Sequence, residues 1–126
     1  MKIEQALPSA DAKTIRRYGP GYIVINDDEF RTSLILAPTE LDADWAPQTF
    51  ADLAAEHWDA LLARKPDLVL LGTGKSQQFP APEVMAPLYR AGVGVEVMKT
   101  AAACRTFNIL TNEGRNVVAG LLMIEE

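Results

Sequence analysis

Asp67-Leu68-Val69-Leu70-Leu71-Gly72 carries the strongest structural signal in the chain. Four consecutive aliphatic residues closed by a glycine are typical of a β-strand that is buried on both faces. Such strands occur in sheets that helices cover on each side, so this stretch predicts an α/β fold.

Helical and strand patterns alternate on both sides of that stretch. Between Phe50 and Leu62 apolar residues recur at helical spacing, behind Thr49 as N-cap and Asp52 as a partial capping box. After that stretch the sequence predicts a helix over Pro82–Arg90, ended by Gly92, whose core residues are Val84, Met85, Leu88 and Tyr89. A strand over Val93–Met98 follows, and then a helix that begins at a Thr100 cap and ends near Gly114. The last predicted strand is Val117–Ile124. This order predicts a central sheet in which residues 68–71 and 93–98 pair in parallel.

The first third of the chain predicts an additional β part. Tyr22–Ile25 is β-branched and aromatic, Asn26–Asp28 is a turn cluster, and a strand pattern resumes over Phe30–Leu36. Residues 37–48 are rich in proline and acidic side chains, which indicates a surface loop, and Trp45 within it is expected to be exposed.

Bulk composition indicates one globular domain over residues 1–126. The chain is 48% hydrophobic and 23% charged, which is ordinary globular usage. No apolar run approaches the ~20 residues of a membrane span. Met1–Glu4 alternates polar and apolar residues and does not resemble a signal peptide. We therefore expect a cytoplasmic protein without membrane insertion.

Charge and the scarce reactive residues narrow the classes of function. Residues 1–63 hold 5 basic and 11 acidic side chains, and residues 64–126 hold 7 and 6. Neither half forms the basic surface that nucleic acid requires. A single histidine, His57, and a single cysteine, Cys104, argue against a catalytic triad, a disulfide and a multi-cysteine metal site. We expect no catalytic residues, no metal and no cofactor.

One candidate ligand site lies where two predicted parallel strands end. Gly72-Thr73-Gly74-Lys75-Ser76 superficially matches a phosphate loop, but that motif requires glycine at the position of Val69. The weaker alternative is a ligand or anion crevice at the strand ends and at a helix N-terminus. Its candidate residues, which we call the strand-end crevice, are Gly72, Thr73, Gly74, Lys99, Thr100, Cys104 and Arg105. The structural alternative is a tight glycine turn above a buried, unreactive Cys104.

A second candidate is a surface for a protein partner. The unequal charge of the two halves predicts two faces of different electrostatic potential, and such faces select partners. Tryptophan and arginine are enriched among residues that dominate binding energy, so Trp45 and Arg105 are the predicted anchors.

Several blocks of the sequence together resemble a known family. They are residues 66–74 (Pro-Asp-Leu-Val-Leu-Leu-Gly-Thr-Gly), 94–98 (Gly-Val-Glu-Val-Met), 104–110 (Cys-Arg-Thr-Phe-Asn-Ile-Leu) and 113–115 (Glu-Gly-Arg). The chain resembles the small Mth-type domain family of unknown function, whose relatives include a mitochondrial complex I assembly factor and an adipogenesis-associated protein. The resemblance implies a three-layer α/β fold, with a mixed central sheet flanked by helices and an additional N-terminal β part.

Two functional hypotheses remain open at this stage. The first is a non-enzymatic protein-binding or assembly-factor-like module, with a protein partner or a second copy of the chain. The alternative is a small-molecule or anion-binding protein, or an enzyme, that uses the strand-end crevice.

Overall fold

The structure, a computed structural model, describes residues 11–126. Eight strands and three α-helices follow one another in the order β1 (Ile15–Gly19), β2 (Tyr22–Ile25), β3 (Asp28–Phe30), β4 (Leu34–Leu36), β5 (Leu41–Asp42), α1 (Asp59–Leu62), β6 (Leu68–Gly72), α2 (Pro82–Arg90), β7 (Gly94–Met98), α3 (Thr100–Asn112) and β8 (Val117–Leu121). Two 3₁₀ turns, Phe50–Asp52 and Ala55–Trp58, precede α1.

The central sheet has five strands in the order β5-β4-β8-β6-β7. The predicted parallel pairing is confirmed, with Leu68 opposite Gly94 and Gly72 opposite Met98. Strand β8 is also parallel to β6, while β4 runs antiparallel to β8, so the sheet is mixed. All four residues of Val69–Gly72 are buried, as expected for a strand covered on both faces.

Two apolar clusters cover the opposite faces of this sheet. On one face α3 contributes Phe107, which packs with Leu70 and with Ile23 of the small antiparallel sheet β1-β2-β3. On the other face Leu88 of α2 packs with Trp58 and Val69. The predicted three-layer α/β architecture and the additional N-terminal β part are therefore confirmed.

The predicted helix between Phe50 and Leu62 is wrong as a continuous element. Leu53 and Ala54 have extended backbones, and α1 forms only over Asp59–Leu62. Leu53 and Trp58 are both buried, although five residues of continuous helix would rotate them about 140° apart. The Ala54 amide donates to His57 Nδ1 at 2.9 Å, so this histidine stabilises the second 3₁₀ turn.

Other predicted boundaries also need correction. The strand pattern over Phe30–Leu36 is interrupted between β3 and β4, and β8 ends at Leu121 instead of Ile124. Strands β1 and β5 were not predicted. Helix α2 spans the predicted Pro82–Arg90, but Tyr89 is 62% exposed instead of facing the core. The expectation that Met1–Glu4 does not begin a signal peptide concerns residues outside the part of the chain that the structure describes.

Candidate functional site

Thr100 stands at the centre of the strand-end crevice. It is the first residue of α3, separated from the end of β7 by Lys99 alone, and it is fully buried. Its hydroxyl donates to the Leu122 carbonyl at 2.7 Å and accepts from the Gly74 amide at 2.8 Å. The predicted capping role is wrong, because the N-cap position belongs to Lys99 and the Thr100 hydroxyl bonds neighbouring loops instead.

The glycine turn is shaped by close packing and by its backbone conformation. A methyl group on Gly72 would lie 2.9 Å from Thr100 Oγ1, so the strand and the helix meet at glycine. Gly74 has a φ of +98°, a backbone conformation that favours glycine, whereas Gly72 does not have a positive φ. Between them, buried Thr73 donates its hydroxyl to the Ser76 carbonyl at 2.6 Å.

The glycine turn already binds a carboxylate of the chain itself. Glu125 Oε1 accepts a hydrogen bond from the Lys75 amide at 3.0 Å, and a methyl group on Gly74 would collide with the same carboxylate. The residue before it, Ile124, accepts from the Gly21 amide at 2.8 Å, which ties the C-terminal segment to the small sheet. The glycine-turn part of the strand-end crevice is therefore filled by internal contacts.

The remaining crevice candidates point to different places. Lys99 is exposed at the start of α3, whereas Cys104 is fully buried in the apolar cluster around Phe107. Burial raises the pKa of the Cys104 thiol to about 12, against a smaller lowering effect of the Arg105 charge. Arg105 is exposed and its Nη1 donates to the Tyr18 hydroxyl at 2.7 Å. These seven residues thus do not converge on one ligand.

The expected exposure of Trp45 is wrong. This side chain is 3% exposed, its indole N–H donates to the His57 carbonyl at 3.1 Å, and its ring lies 6.2 Å from that of Trp58. The acidic neighbours that suggested a surface position flank a segment whose aromatic ring is turned inward. Trp45 is a core residue and cannot anchor a partner without unfolding of its surroundings.

The sequence did not predict an open apolar groove that the described residues form. It is a groove of about 500 Å³ between α2, β7 and the loop before α2. We call it the edge groove, and its main lining residues are Gln77, Phe79, Met85, Tyr89, Val95 and Val97. Phe79 is 71% exposed and Tyr89 is 62% exposed. One signal was available: Phe79 interrupts a polar loop and belongs to no helical or strand pattern.

Residues 11–126 form neither a metal-binding cluster nor a membrane-spanning helix. Within that range no group of three or more histidine, cysteine, aspartate or glutamate side chains is placed to hold a metal ion. Among the same residues, no helix combines the length and the apolar character needed to cross a membrane.

Residues 15–122 match the family model described as "Protein of unknown function (DUF498/DUF598)". The chain belongs to this family. It is 34% identical over 103 residues to a "13 kDa major membrane protein" of Francisella tularensis, covering 81% of this chain and 84% of that protein. It is 29% identical over 113 residues to the bovine "NADH dehydrogenase [ubiquinone] 1 alpha subcomplex assembly factor 3", covering 88% of this chain. The match spans 61% of the assembly factor's own length.

Solved structures carry the same fold. A crystal structure of a Bordetella parapertussis protein superposes with a TM-score of 0.85 at 42% identity, over 92% of this chain and 99% of that one. A solution structure from Bordetella pertussis, described as an Mth938-like domain, superposes with a TM-score of 0.80 at 34% identity, over 95% and 91%. The predicted Mth-type family and its kinship with a complex I assembly factor are therefore confirmed.

Proposed function

We propose that this chain is a non-enzymatic protein-binding module of the assembly-factor type. The observation that carries the proposal is the edge groove, which is lined by two mostly exposed aromatic residues, Phe79 and Tyr89. Contiguous exposed apolar surface is a recurring feature of interaction sites, because its burial against a partner removes apolar area from water. The similarity to complex I assembly factors supports a protein as the partner.

The edge groove replaces the two anchors proposed from sequence. Trp45 is buried, and Arg105 lies on α3 and bonds β1, away from the groove-lining residues. The proposed location is the cytoplasm, with neither nucleic acid nor the membrane interior as partner. The acidic balance of 17 Asp and Glu against 12 Lys and Arg supports the exclusion of nucleic acid. The single-domain organisation over residues 1–126 remains part of this proposal.

The test is affinity capture of the tagged full chain from its native cells, followed by mass spectrometry. We expect a reproducible set of proteins that the wild-type chain retains and that a Phe79→Ser/Tyr89→Ser variant loses. An Ile109→Ser variant is the matched control, because Ile109 is 59% exposed but does not line the groove. Location is checked separately by fractionation of the same cells into soluble and membrane material.

The ligand-binding alternative makes a different prediction. An anion at the strand-end crevice must displace Glu125 from the Lys75 amide. The wild type and a Glu125→Ala variant are titrated with inorganic phosphate, and binding is followed by the NMR shifts of the Gly74 and Lys75 amides. This titration distinguishes the ligand-binding alternative from the protein-binding proposal. Saturable binding by the wild type at micromolar phosphate, together with an empty capture experiment, would replace our proposal with the alternative.

A further inference from the structure

Strand β7 forms an edge of the central sheet. It pairs with β6 on one side, and no other strand of residues 11–126 pairs with it. An edge strand presents main-chain N–H and C=O groups that are able to pair with another strand. The edge groove lies along this side of the molecule, since Val95 and Val97 belong to both.

The outward main-chain groups belong to Val95 and Val97. The Met98 carbonyl accepts from the Thr73 amide at 2.9 Å, so Met98 faces β6. The Val97 carbonyl accepts from the Gln77 side chain at 2.8 Å instead, on the outer side of the strand. Because these groups alternate along a strand, Val95 and Val97 both present their N–H and C=O groups outward. A flexible glutamine, not a strand, occupies part of this edge.

The side chains of the same two valines face the apolar part of the groove. Val95 and Val97 pack against the cluster that contains Met85 and Leu88 of α2. An extended segment added beside β7 would place alternate side chains over that face, next to Phe79 and Tyr89. The groove therefore offers both main-chain hydrogen bonds and apolar pockets, which is the combination that strand addition uses.

The charge of Glu96, a residue of β7 that also lines the edge groove, selects the chemistry of the added segment. Glu96 is exposed and takes part in neither of the two ion pairs formed within residues 11–126, Arg31–Glu29 and Arg64–Glu40. In an antiparallel addition that bonds Val95 and Val97, Glu96 falls at a non-hydrogen-bonded pair, where opposing side chains come closest. A lysine or arginine opposite Glu96 is favoured and an acidic residue is disfavoured.

The same argument disfavours a second copy of this chain as the occupant. A two-fold register centred on Glu96 bonds Val95 and Val97 of both copies but places the two Glu96 carboxylates opposite each other. A two-fold register centred on Val95 separates the two Glu96 carboxylates, but it requires a hydrogen bond from the Val93 amide. That amide already donates to the Leu88 carbonyl at 3.2 Å. The chain also carries a net charge of −5, so two copies repel each other over longer distances.

We propose that β7 accepts an antiparallel strand from a partner protein, and that this segment alternates apolar residues with basic ones. The inference rests on the proposed protein-binding function and specifies its surface and the class of partner. The apolar residues lie in the edge groove between Phe79 and Tyr89, and a basic residue pairs with Glu96. Gln77 releases the Val97 carbonyl when the strand binds.

Two synthetic eight-residue peptides with blocked ends test this directly. Both alternate valine with polar residues, and they differ only in having lysine or glutamate at the central polar positions. With the isotope-labelled full chain, we expect the lysine peptide to slow hydrogen exchange of the Val95 and Val97 amides. We expect it to bind about fivefold more tightly than the glutamate peptide. Glu96→Lys should reverse this preference.

Val95→Pro distinguishes strand addition from non-specific hydrophobic binding to the groove. Proline at an edge position removes an outward N–H and leaves the ladder to β6 in place. We expect this variant to keep its fold and to bind the lysine peptide at least about tenfold more weakly. Val95→Ala, which retains the amide, should lose much less. Equal binding of both peptides, or binding that Val95→Pro does not weaken, overturns the proposal.

Native capture and sedimentation distinguish the remaining outcomes. If wild type and Val95→Pro capture the same native proteins equally, protein binding stands and strand addition is refuted. If the wild type captures nothing, the proposed function itself fails. If sedimentation equilibrium shows a wild-type dimer that Val95→Pro dissociates, the occupant is a second copy and our assignment of a basic partner is wrong.

Discussion

The loop between β6 and α2 forms parts of two sites with opposite properties. At its start, Thr73 and Gly74 are buried and their hydrogen-bonding groups are satisfied by Ser76, Met98 and Thr100. A few residues later Gln77 and Phe79 are exposed, and Phe79 lines an open groove. The strand-end crevice is internally complete, whereas the edge groove leaves apolar surface and strand-edge groups available.

The two sites differ in how far their sequence motifs indicate function. Glycine and threonine at the ends of parallel strands suggest ligand binding, but buried main-chain groups there require partners and find them within the chain. Exposed aromatic rings carry no sequence motif, yet Phe79 and Tyr89 leave most of their surface open to a partner. Function is therefore expected at the less conspicuous of the two sites.

The largest predicted effect concerns the reactivity of Cys104 on the closed side of the molecule. Its pKa of about 12, against an ordinary 9.0, lowers the thiolate fraction at neutral pH about a thousandfold. Iodoacetamide at pH 7 should therefore modify the native chain at least several-hundredfold more slowly than the chain unfolded in guanidinium. A Phe79→Cys/Cys104→Ala variant places the thiol at the open groove and should react at nearly the unfolded rate. Similar rates for Cys104 in both states would contradict its structural role.

The raised pKa of Cys104 also makes the folded state less stable at alkaline pH. The folded state holds the thiol proton up to higher pH than the unfolded state does, so this contribution is complete below about pH 9. It is lost as the pH rises from about 9 towards 12. Denaturant unfolding of the wild type and Cys104→Ala at pH 7 and pH 10 should show a steeper loss in the wild type.

Thr100→Val should produce the next largest effect. The substitution keeps the shape of the side chain but leaves the Gly74 amide and the Leu122 carbonyl without their partner in a fully buried place. Each buried unsatisfied group costs about 1–3 kcal/mol, so we expect a loss of about 3 kcal/mol in the free energy of unfolding. Thr111→Val is the control, because the Thr111 hydroxyl bonds the Phe107 carbonyl of its own helix. Equal losses of stability in both variants would show that the hydrogen bonds of the Thr100 hydroxyl contribute no more than an ordinary helix-surface bond.

Gly74→Ala tests the turn and its carboxylate together. A φ of +98° and the adjacent Glu125 carboxylate both oppose a methyl group, and we expect a loss of about 1–2 kcal/mol. Gly114→Ala isolates the backbone cost, since Gly114 has a φ of +81° and open space around its Cβ position. If Glu125→Ala in the Gly74→Ala background recovers stability, the carboxylate contact is confirmed as the additional cost.

Local signals in the sequence were sufficient for much of the fold and for little of the site. Proline at the start of α2 and Gly92 after its end mark that helix without tertiary information. The inward turn of Trp45 depends on Trp58, whose position comes from a 3₁₀ turn that periodicity does not reveal. Leu88 is buried, but the next residue, Tyr89, is exposed because the sheet ends at β7 and no further strand covers this side of α2. The edge groove arises only when distant segments pack together.

The smallest effect on stability, and the most informative effect on function, is expected at the edge groove. Phe79→Ser and Tyr89→Ser remove mostly exposed surface, so each should change the free energy of unfolding by no more than about 0.5 kcal/mol. Aromatic residues at interfaces contribute about 2 kcal/mol or more when they are binding hot spots. We therefore expect at least a tenfold loss in capture of native partners by each variant, measured by quantitative mass spectrometry.

Ile109→Ser provides the decisive contrast for this last prediction. Its side chain is 59% exposed, close to the 62% of Tyr89, but it lies on α3 and does not line the groove. Equal losses of partner from Ile109→Ser and Tyr89→Ser would mean that general surface hydrophobicity drives capture. A loss confined to the groove variants, with unchanged unfolding curves for all three, would locate binding at the open edge of the sheet. Retention of every partner by both groove variants would leave the aromatic rings without a binding role and refute the assignment of this surface.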